Sequence, residues 1–221
     1  MLVVHHLDNS RSQRILWLLE ELRVPYEVKL YQRNSVGLAP KTLAQVTPLG
    51  KAPVITDGDV TLAESTAIIE YLIQKYGANG ELNAPSSGPG YTSNLYFTHF
   101  AEASLMPLLI QRLIFTTYPR FMPEAVRSTA TSLFEQVQKQ RIDPEIQKYA
   151  AFVEQHLGQV EWFAGGPGPT AADFAMSFPL EGLALLKMAG PKCLAYVAKI
   201  QARPAYLRAL ENGKSRYAYK L

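Results

Sequence analysis

The sequence is poor in the residues that covalent cross-links and membrane spans require. Its 221 residues include a single cysteine, Cys193, which excludes an internal disulfide, a CxxC redox pair and a cysteine-rich zinc site. It contains no run of about eighteen apolar residues, so we expect no transmembrane helix. The opening MLVVHHLDNS is too short and too polar for a secretion signal. We therefore expect a cytoplasmic protein that does not associate with membranes.

An excess of charge of one sign is also missing. The chain carries 22 basic and 19 acidic residues, for a formal net charge of +3, and the basic residues form no run. A nucleic-acid-binding surface normally shows as a clustered basic stripe, so we expect no nucleic-acid partner. Hydrophobic residues make up 48% of the chain, which is enough apolar material for a folded core.

The first third of the chain alternates between strand and helix patterns. LVVHHL is apolar and β-branched, as in a strand, and the apolar residues over 15–22 recur at helical spacing. Pro25 ends that helix and YEVKLY forms a second strand, which together predict a βαβ unit with parallel strands. A short helix near 40–46, a hairpin with the turn DGD and a helix over 65–76 follow. The predicted order is βαβ-α-ββα.

A segment rich in Gly, Pro and Ser separates this part from the rest. It is GANGELNAPSSGPG, residues 77–90, and its composition is typical of a domain boundary. No convincing strand follows it. Helical periodicity covers 91–117, 123–140, 143–164, 171–188, 191–202 and 204–212. We therefore predict an α/β domain over 1–80, a linker over 81–90 and an all-α domain over 91–221.

Glu64 and Ser65 lie where the predicted hairpin ends and the next helix begins. Ser65 could simply cap that helix, with Glu64 just before it. The same position also suits a ligand, because the free N–H groups of a helix N-terminus and a serine hydroxyl bind a carboxylate. Glu64 could accept a hydrogen bond from an ammonium group. A ligand that carries both groups on one carbon, as an α-amino acid does, would satisfy both residues.

The sequence resembles the cytosolic glutathione transferases over its whole length. The motifs PLGKAPVI around Pro53, AESTAIIEYL and TAADFAMSF carry the resemblance. It implies a thioredoxin-like N-terminal domain, a cis peptide bond before Pro53, and a homodimer. It also implies that Ala52 pairs with the cysteine backbone of glutathione and that Glu64 and Ser65 hold its γ-glutamyl end. Lys51 is a candidate partner of the glycine carboxylate, an exposed loop lysine being the alternative.

The polar run DNSRS corresponds to the turn that faces the glutathione sulfur in this family. Residues 7–14 contain no Tyr or Cys, so the resemblance is to the bacterial and fungal branch that has Ser or Asn there. A hydroxyl or amide donor and the helix N-terminus favour the thiolate of a thiol whose free pKa is about 8.5. We rank Ser10 first as the thiolate-stabilising residue, Asn9 second and Ser12 third. Asn9 could instead cap the helix, and Ser12 could be an exposed first-turn residue.

Two further patterns are interpreted as structural. His5 and His6 are neighbours on a strand, so their side chains point to opposite faces and cannot easily share a metal ion; we expect no metal site. Thr170 and Asp173 have the spacing of a capping box that begins a helix. In addition, Arg14 could pair with an acidic residue of the second domain.

The helix over 91–117 supplies the pocket for the second substrate in the family. His99, Phe100 and Ala103 are the candidates in this sequence, although most of that helix must belong to the core. The final RYAYKL could fold back over the cleft, with Tyr217 and Tyr219 as lid residues. A frayed tail is the alternative.

The predicted function is that of a glutathione transferase. It would bind glutathione as co-substrate, stabilise its thiolate and conjugate it to an apolar small molecule with an electrophilic carbon. Two alternatives use the same binding site: glutathione-dependent reduction of peroxides or disulfide bonds, and a non-catalytic regulator that binds glutathione.

Overall fold

The chain forms a four-stranded sheet followed by a series of helices. The computed structural model describes residues 1–77, 80 and 82–214. The strands are β1 (Leu2–Leu7), β2 (Glu27–Tyr31), β3 (Val54–Asp57) and β4 (Val60–Ala63). The helices are α1 (Ser12–Leu22), α2 (Ser65–Tyr76), α3 (Gly88–Phe100), α4 (Met106–Thr117), α5 (Glu124–Val137), α6 (Asp143–Leu157), α7 (Ala171–Leu185), α8 (Pro191–Gln201) and α9 (Pro204–Gly213). Short 3-10 segments cover Lys41–Gln45 and Tyr118–Phe121, and π-helical segments cover Ala101–Leu105 and Gln138–Ile142.

The strand order of the sheet is β2-β1-β3-β4. Strands β1 and β2 are parallel, whereas β3 is antiparallel to both of its neighbours. The predicted βαβ unit, the hairpin and the fold class are therefore confirmed: a thioredoxin-like α/β part precedes a helical part. In the register, Val54 lies opposite His5 on one side and Ala63 on the other. The end of β1, the start of β3 and the end of β4 consequently lie side by side at one end of the sheet.

Helix α1 lies between the sheet and the helical part. Its residues from Ile15 to Leu19 are fully buried. The Trp17 ring packs on Phe174 of α7, with centroids 4.5 Å apart, and on Tyr206 of α9 at 5.9 Å. Burial of one large apolar side chain stabilises a fold by about 1.5–3 kcal/mol. These contacts therefore fix α1, and the turn before it, relative to the helical part.

Several helix limits differ from those predicted. Helix α6 ends at Leu157 and not near 164, because the chain turns there and again at Gly165, whose φ is +72°. Helix α3 begins at Gly88, inside the predicted linker. The predicted helix over 91–117 includes the π-helical segment Ala101–Leu105, and the segment Gln138–Ile142 connects the predicted helices over 123–140 and 143–164. The apolar spacing reveals neither segment. We retain the domain division at 80 and 90 as a proposal.

Candidate active site

The turn between β1 and α1 is fixed from one side by Arg33. Its backbone N–H donates to Asp8 Oδ1 (2.8 Å), and its guanidinium donates to the carbonyl oxygens of Asp8 (3.0 Å) and Asn9 (3.1 Å). The half-buried Asn9 has a left-handed backbone with φ 46°, which asparagine adopts more readily than most residues. Arg11 is the N-cap residue of α1, and its side chain makes no capping bond. Asn9 therefore lies two residues before the N-cap position, which differs from its interpretation as the helix cap.

Both serines of the turn face inward. Ser10 is 5% exposed and Ser12 is fully buried, so the alternative of an exposed first-turn Ser12 is wrong. The Ser10 hydroxyl donates to the carbonyl oxygen of Leu7 (2.8 Å) and lies 2.7 Å from the Ser12 hydroxyl. Ser12 Oγ in turn lies 2.7 Å from His6 Nδ1. The backbone N–H groups of Ser10 and Arg11 find no backbone acceptor among the described residues.

The Ala52–Pro53 peptide bond is cis. Pro53 is buried directly before β3, whereas Lys51 is exposed. Ala52 is half-buried and packs against the small apolar cluster around Leu7. Ala52 therefore lies beside the end of β1, next to the turn that carries Ser10.

Helix α2 begins directly after a residue with positive φ. Glu64 is exposed, with φ 68° and ψ 112°, and strained residues of this kind cluster at ligand sites. Ser65 is the first helical residue, and no side-chain hydrogen bond caps α2. The interpretation of Ser65 as the helix cap is therefore wrong. Ser65 is 4% exposed, and its hydroxyl lies 3.5 Å from Oε1 of Glu102.

Glu102 connects the starts of α1 and α2 to the helical part. It lies in the π-helical segment Ala101–Leu105 and accepts hydrogen bonds from Nε of Arg11 (3.1 Å) and from the guanidinium of Arg14. The Arg14 side chain is fully buried and also donates to the carbonyl oxygen of Ala175 (2.5 Å). The prediction that Arg14 pairs with an acidic residue of the helical part is confirmed. We call Arg11, Arg14, Ser65 and Glu102 the Glu102 cluster.

The arginines keep the carboxylate of this cluster ionised. Burial alone would raise the pKa of Glu102, but the charges of Arg14 and Arg11 and their hydrogen bonds outweigh burial and hold the pKa below its usual value. Two arginine charges therefore face one carboxylate charge.

The described residues contain neither a membrane-spanning helix nor a cluster of potential metal ligands. Within residues 1–77, 80 and 82–214, no helix has both the length and the apolar composition needed to cross a membrane. In the same part of the chain, no group of three or more His, Cys, Asp or Glu side chains is arranged to hold a metal ion. The predicted lid residues Tyr217 and Tyr219 lie outside the described residues.

Comparison with known proteins establishes the family. Residues 4–80 match the family model of the glutathione S-transferase N-terminal domain. Glutathione S-transferase 3 of Schizosaccharomyces pombe is 38% identical over 180 residues, which cover 81% of this chain and 73% of that protein. This chain belongs to the glutathione S-transferase family.

Other members of the family match nearly the whole chain. Glutathione S-transferase 1 of Saccharomyces cerevisiae is 27% identical over 223 residues, 96% of this chain and 95% of that protein. A crystal structure of a glutathione S-transferase from Actinobacillus pleuropneumoniae superimposes with a TM-score of 0.78 at 30% identity, covering 99% of this chain and 95% of that one. The predicted family and enzyme class, a glutathione S-transferase, are thereby confirmed.

The residues predicted for the second-substrate pocket of this transferase do not share one environment. The Phe100 ring is buried, with its centroid 5.6 Å from that of Tyr96 and 5.5 Å from that of Tyr149 on α6. His99 and Ala103, one helical turn apart, are exposed. Phe100 therefore takes part in the packing of α3 against α6, whereas the other two side chains remain accessible.

An apolar cavity that the sequence analysis missed lies between α4 and α7. Its volume is about 120 Å³. Its apolar lining includes Met106, Leu109, Leu113, Phe178 and Leu185. The guanidinium carbon of Arg14 lies 5.8 Å from the centroid of the Phe178 ring, so the cavity adjoins the Glu102 cluster. The spacing i, i+3, i+7 of the α4 residues is a signal that could have predicted this apolar face.

Proposed function

We propose that this transferase binds glutathione across the end of the sheet where β1 ends, β3 begins and β4 ends. The observation that carries the proposal is the register that brings these three strand ends together. The backbone of Ala52 would pair with the cysteine of the extended peptide. Ser65 and the N–H groups that begin α2 would hold the γ-glutamyl carboxylate, and Glu64 its ammonium group. Lys51 would reach the glycine carboxylate.

The sulfur of glutathione would then lie over the turn before α1. Its pKa falls when hydrogen-bond donors and the positive end of a helix favour the thiolate. A decrease of about two units corresponds to about 2.7 kcal/mol, which one charge-assisted hydrogen bond and the helix N-terminus can supply. Ser10 and Asn9 are the side-chain candidates for the donor. Ser12 is the least favoured, because it is fully buried.

The thiolate would attack an electrophilic carbon of an apolar small molecule. We propose the cavity between α4 and α7 as the pocket for this second substrate, because it is apolar and adjoins the Glu102 cluster. His99, Phe100 and Ala103 remain the alternative from the sequence. Holding both reactants next to each other supplies the remaining catalysis. No residue of the chain needs to act as an acid or a base.

Calorimetric titration with glutathione tests the binding site. We expect Ser65→Ala to weaken the affinity at least about tenfold, because the variant removes a hydrogen bond to a charged group, which contributes about 1.5–3 kcal/mol. Ser128→Ala, at an exposed position of α5, is the matched control and should bind as the wild type does. Unchanged affinity in Ser65→Ala would remove this residue from the site, and absence of binding by the wild type would reject the proposed function.

Turnover of three substrate types tests the reaction. We expect conjugation of a halogenated nitroarene to exceed the reduction of a small peroxide or of hydroxyethyl disulfide. Leu113→Ala, in the lining of the cavity, should raise the KM for the nitroarene, whereas Leu133→Ala, equally exposed on α5, should not. A higher reduction rate would favour the peroxidase or disulfide reductase, and glutathione binding without turnover would favour the regulator. A raised KM in His99→Ala alone would place the pocket on α3.

Two further properties are proposed from the family resemblance and the composition. A homodimer is expected, which sedimentation velocity would test directly. A cytoplasmic location is expected from the single cysteine. Glutathione is the co-substrate in this proposal, and none of the proposed steps uses a metal ion.

A further inference from the structure

A buried hydrogen-bonded chain leads from strand β1 to the turn before α1. It joins His6, Ser12 and Ser10, with 2.7 Å from His6 Nδ1 to Ser12 Oγ and 2.7 Å from Ser12 Oγ to Ser10 Oγ. His6 and Ser12 are fully buried. The neighbouring His5 contacts the hydroxyl of Tyr31 instead (3.0 Å). Only one of the two adjacent histidines is therefore connected to the turn.

The two serine hydroxyls of this hydrogen-bonded chain share one backbone acceptor. Ser12 Oγ accepts the N–H of Leu7 (3.2 Å), and Ser10 Oγ accepts the N–H of Ser12 (3.2 Å). Each hydroxyl then has one proton to donate. The carbonyl oxygen of Leu7 lies within reach of both hydroxyls, at 2.8 Å from Ser10 and 3.2 Å from Ser12.

The tautomer of His6 decides whether the Ser12 hydroxyl can donate to that carbonyl oxygen. When Nδ1 carries the proton, the imidazole donates to Ser12, and Ser12 can donate to Leu7. The Ser10 proton is then available to a ligand at the turn. When Nδ1 carries no proton, Ser12 donates to the imidazole, and Ser10 is the hydroxyl left for Leu7. The ring thus controls whether Ser12 can replace Ser10 as the hydroxyl that donates to Leu7.

The surroundings of His6 keep the ring neutral and in place. Burial lowers the pKa of His6 to about 4, against a smaller opposing effect of Asp8, so the ring carries one proton at neutral pH. Its Nε2 edge faces the end of α9, where a side-chain carbon on Gly213 would approach within 3.3 Å. Glycine at this position allows α9 to lie close against the ring.

We propose that His6 is a positioning residue of this transferase: when glutathione is bound, His6 Nδ1 carries the ring proton, Ser12 takes over the donation to Leu7, and the Ser10 hydroxyl can turn from Leu7 toward the sulfur and promote thiolate formation. The inference rests on the proposed function, because the sulfur belongs to the glutathione proposed to bind there. It assigns a role to a histidine that touches neither substrate.

The pKa of the bound thiol, measured from the ultraviolet absorbance of the thiolate against pH, tests the proposal. We expect His6→Val and Ser12→Ala to raise it by about one unit, which lowers the thiolate fraction about tenfold well below the pKa. His6→Asn, whose amide can take the place of Nδ1, should restore much of the effect. His5→Val, the matched control on the other face of β1, should leave the thiol pKa unchanged.

Kinetics separate this role from a merely structural one. The kcat should fall in step with the thiolate fraction, while the KM for glutathione stays the same. In a Ser10→Ala background, Ser12→Ala should raise the thiol pKa no further, since it acts through Ser10. A further rise in the double variant, or an unchanged thiol pKa in Ser12→Ala with glutathione bound, would overturn the proposal.

Three other outcomes are informative. If His6→Val does not fold, Ser12→Ala decides the question, because it removes one atom and its fold can be checked by circular dichroism. If the wild-type protein binds no glutathione in calorimetry, the proposed function fails and this inference fails with it. If glutathione binds and only the thiol pKa is unaffected, the inference alone is rejected.

Discussion

At the scale of single residues, Asn9 and Ser10 offer a sulfur different donors. The Asn9 amide belongs to a half-buried residue whose carbonyl oxygen is held by Arg33. The Ser10 hydroxyl is directed at Leu7 and must turn outward to reach a ligand. The sequence analysis placed both residues at the turn but could not predict the inward direction of Ser10, because that direction depends on Ser12 and His6 together.

Substitution of each residue separates the two donors. We expect Ser10→Ala to raise the pKa of the bound glutathione thiol, because the thiolate loses a hydrogen-bond donor. Asn9→Gly is the suitable partner variant, because glycine adopts a φ of 46° without strain. Alanine at this position would be strained by about 1 kcal/mol. The ultraviolet absorbance of the thiolate against pH measures both. A larger shift in Asn9→Gly than in Ser10→Ala would reverse the predicted ranking.

The positions that could be predicted from the sequence are those that a local pattern determines. Glu64 and Ser65 are adjacent at a strand–helix boundary, so the pattern indicates their position. Glu102 was missed as a site residue, because its contacts with Arg11 and Arg14 join positions about ninety residues apart, and such pairing has no local signature.

At the scale of elements, helix α7 shows the same division between local and long-range information. The spacing of Thr170 and Asp173 predicts its capping box, and both bonds of the box are present. The spacing does not predict that Asp173 also accepts the N–H of Phe163 (3.0 Å) and the hydroxyl of Tyr196 (2.6 Å). It also does not predict that Asp173 is fully buried. Burial raises the pKa of the Asp173 carboxyl group, although the hydrogen bonds that it accepts act in the opposite direction.

Loss of Asp173 should therefore cost more than loss of an ordinary cap. A cap alone contributes about 1 kcal/mol, but Asp173→Ala leaves several buried donors without an acceptor, at about 1–3 kcal/mol each. We expect the free energy of unfolding in urea to fall by at least about 3 kcal/mol. Tyr196→Phe, which removes one of these bonds, should cost about 1 kcal/mol. Equal effects of the two variants would show that the carboxylate acts as a simple cap.

At the scale of the whole molecule, the Glu102 cluster joins the two parts of the chain at the proposed active site. The same arginine, Arg14, contacts Glu102 before α4 and the backbone of Ala175 within α7. The sequence predicted that Arg14 would find an acidic partner in the helical part. It could not identify the partner, because the π-helical segment adds a residue to the turn and changes which side chains face α1.

The sign of the pKa shift of Glu102 predicts how acid affects this junction. Its pKa in the folded protein lies below the usual 4.5, so its stabilisation is fully present above about pH 4.5 and is lost as the pH falls through the folded value. Glu102→Gln removes the carboxylate that pairs with the buried Arg14, and we expect the free energy of unfolding to fall by about 2–3 kcal/mol at pH 7. The difference from the wild type should shrink toward pH 3, because below about pH 4.5 the carboxylate of Glu102 binds a proton in the unfolded state before it does so in the folded state. Urea unfolding at both pH values measures this, with Glu145→Gln as the control, since its exposed pair with Lys148 contributes less than about 0.5 kcal/mol.

A deficit in Glu102→Gln that is equal at pH 7 and pH 3 would mean that the side chain stabilises the junction by its shape, because only an ionised carboxylate makes a contribution that acid removes.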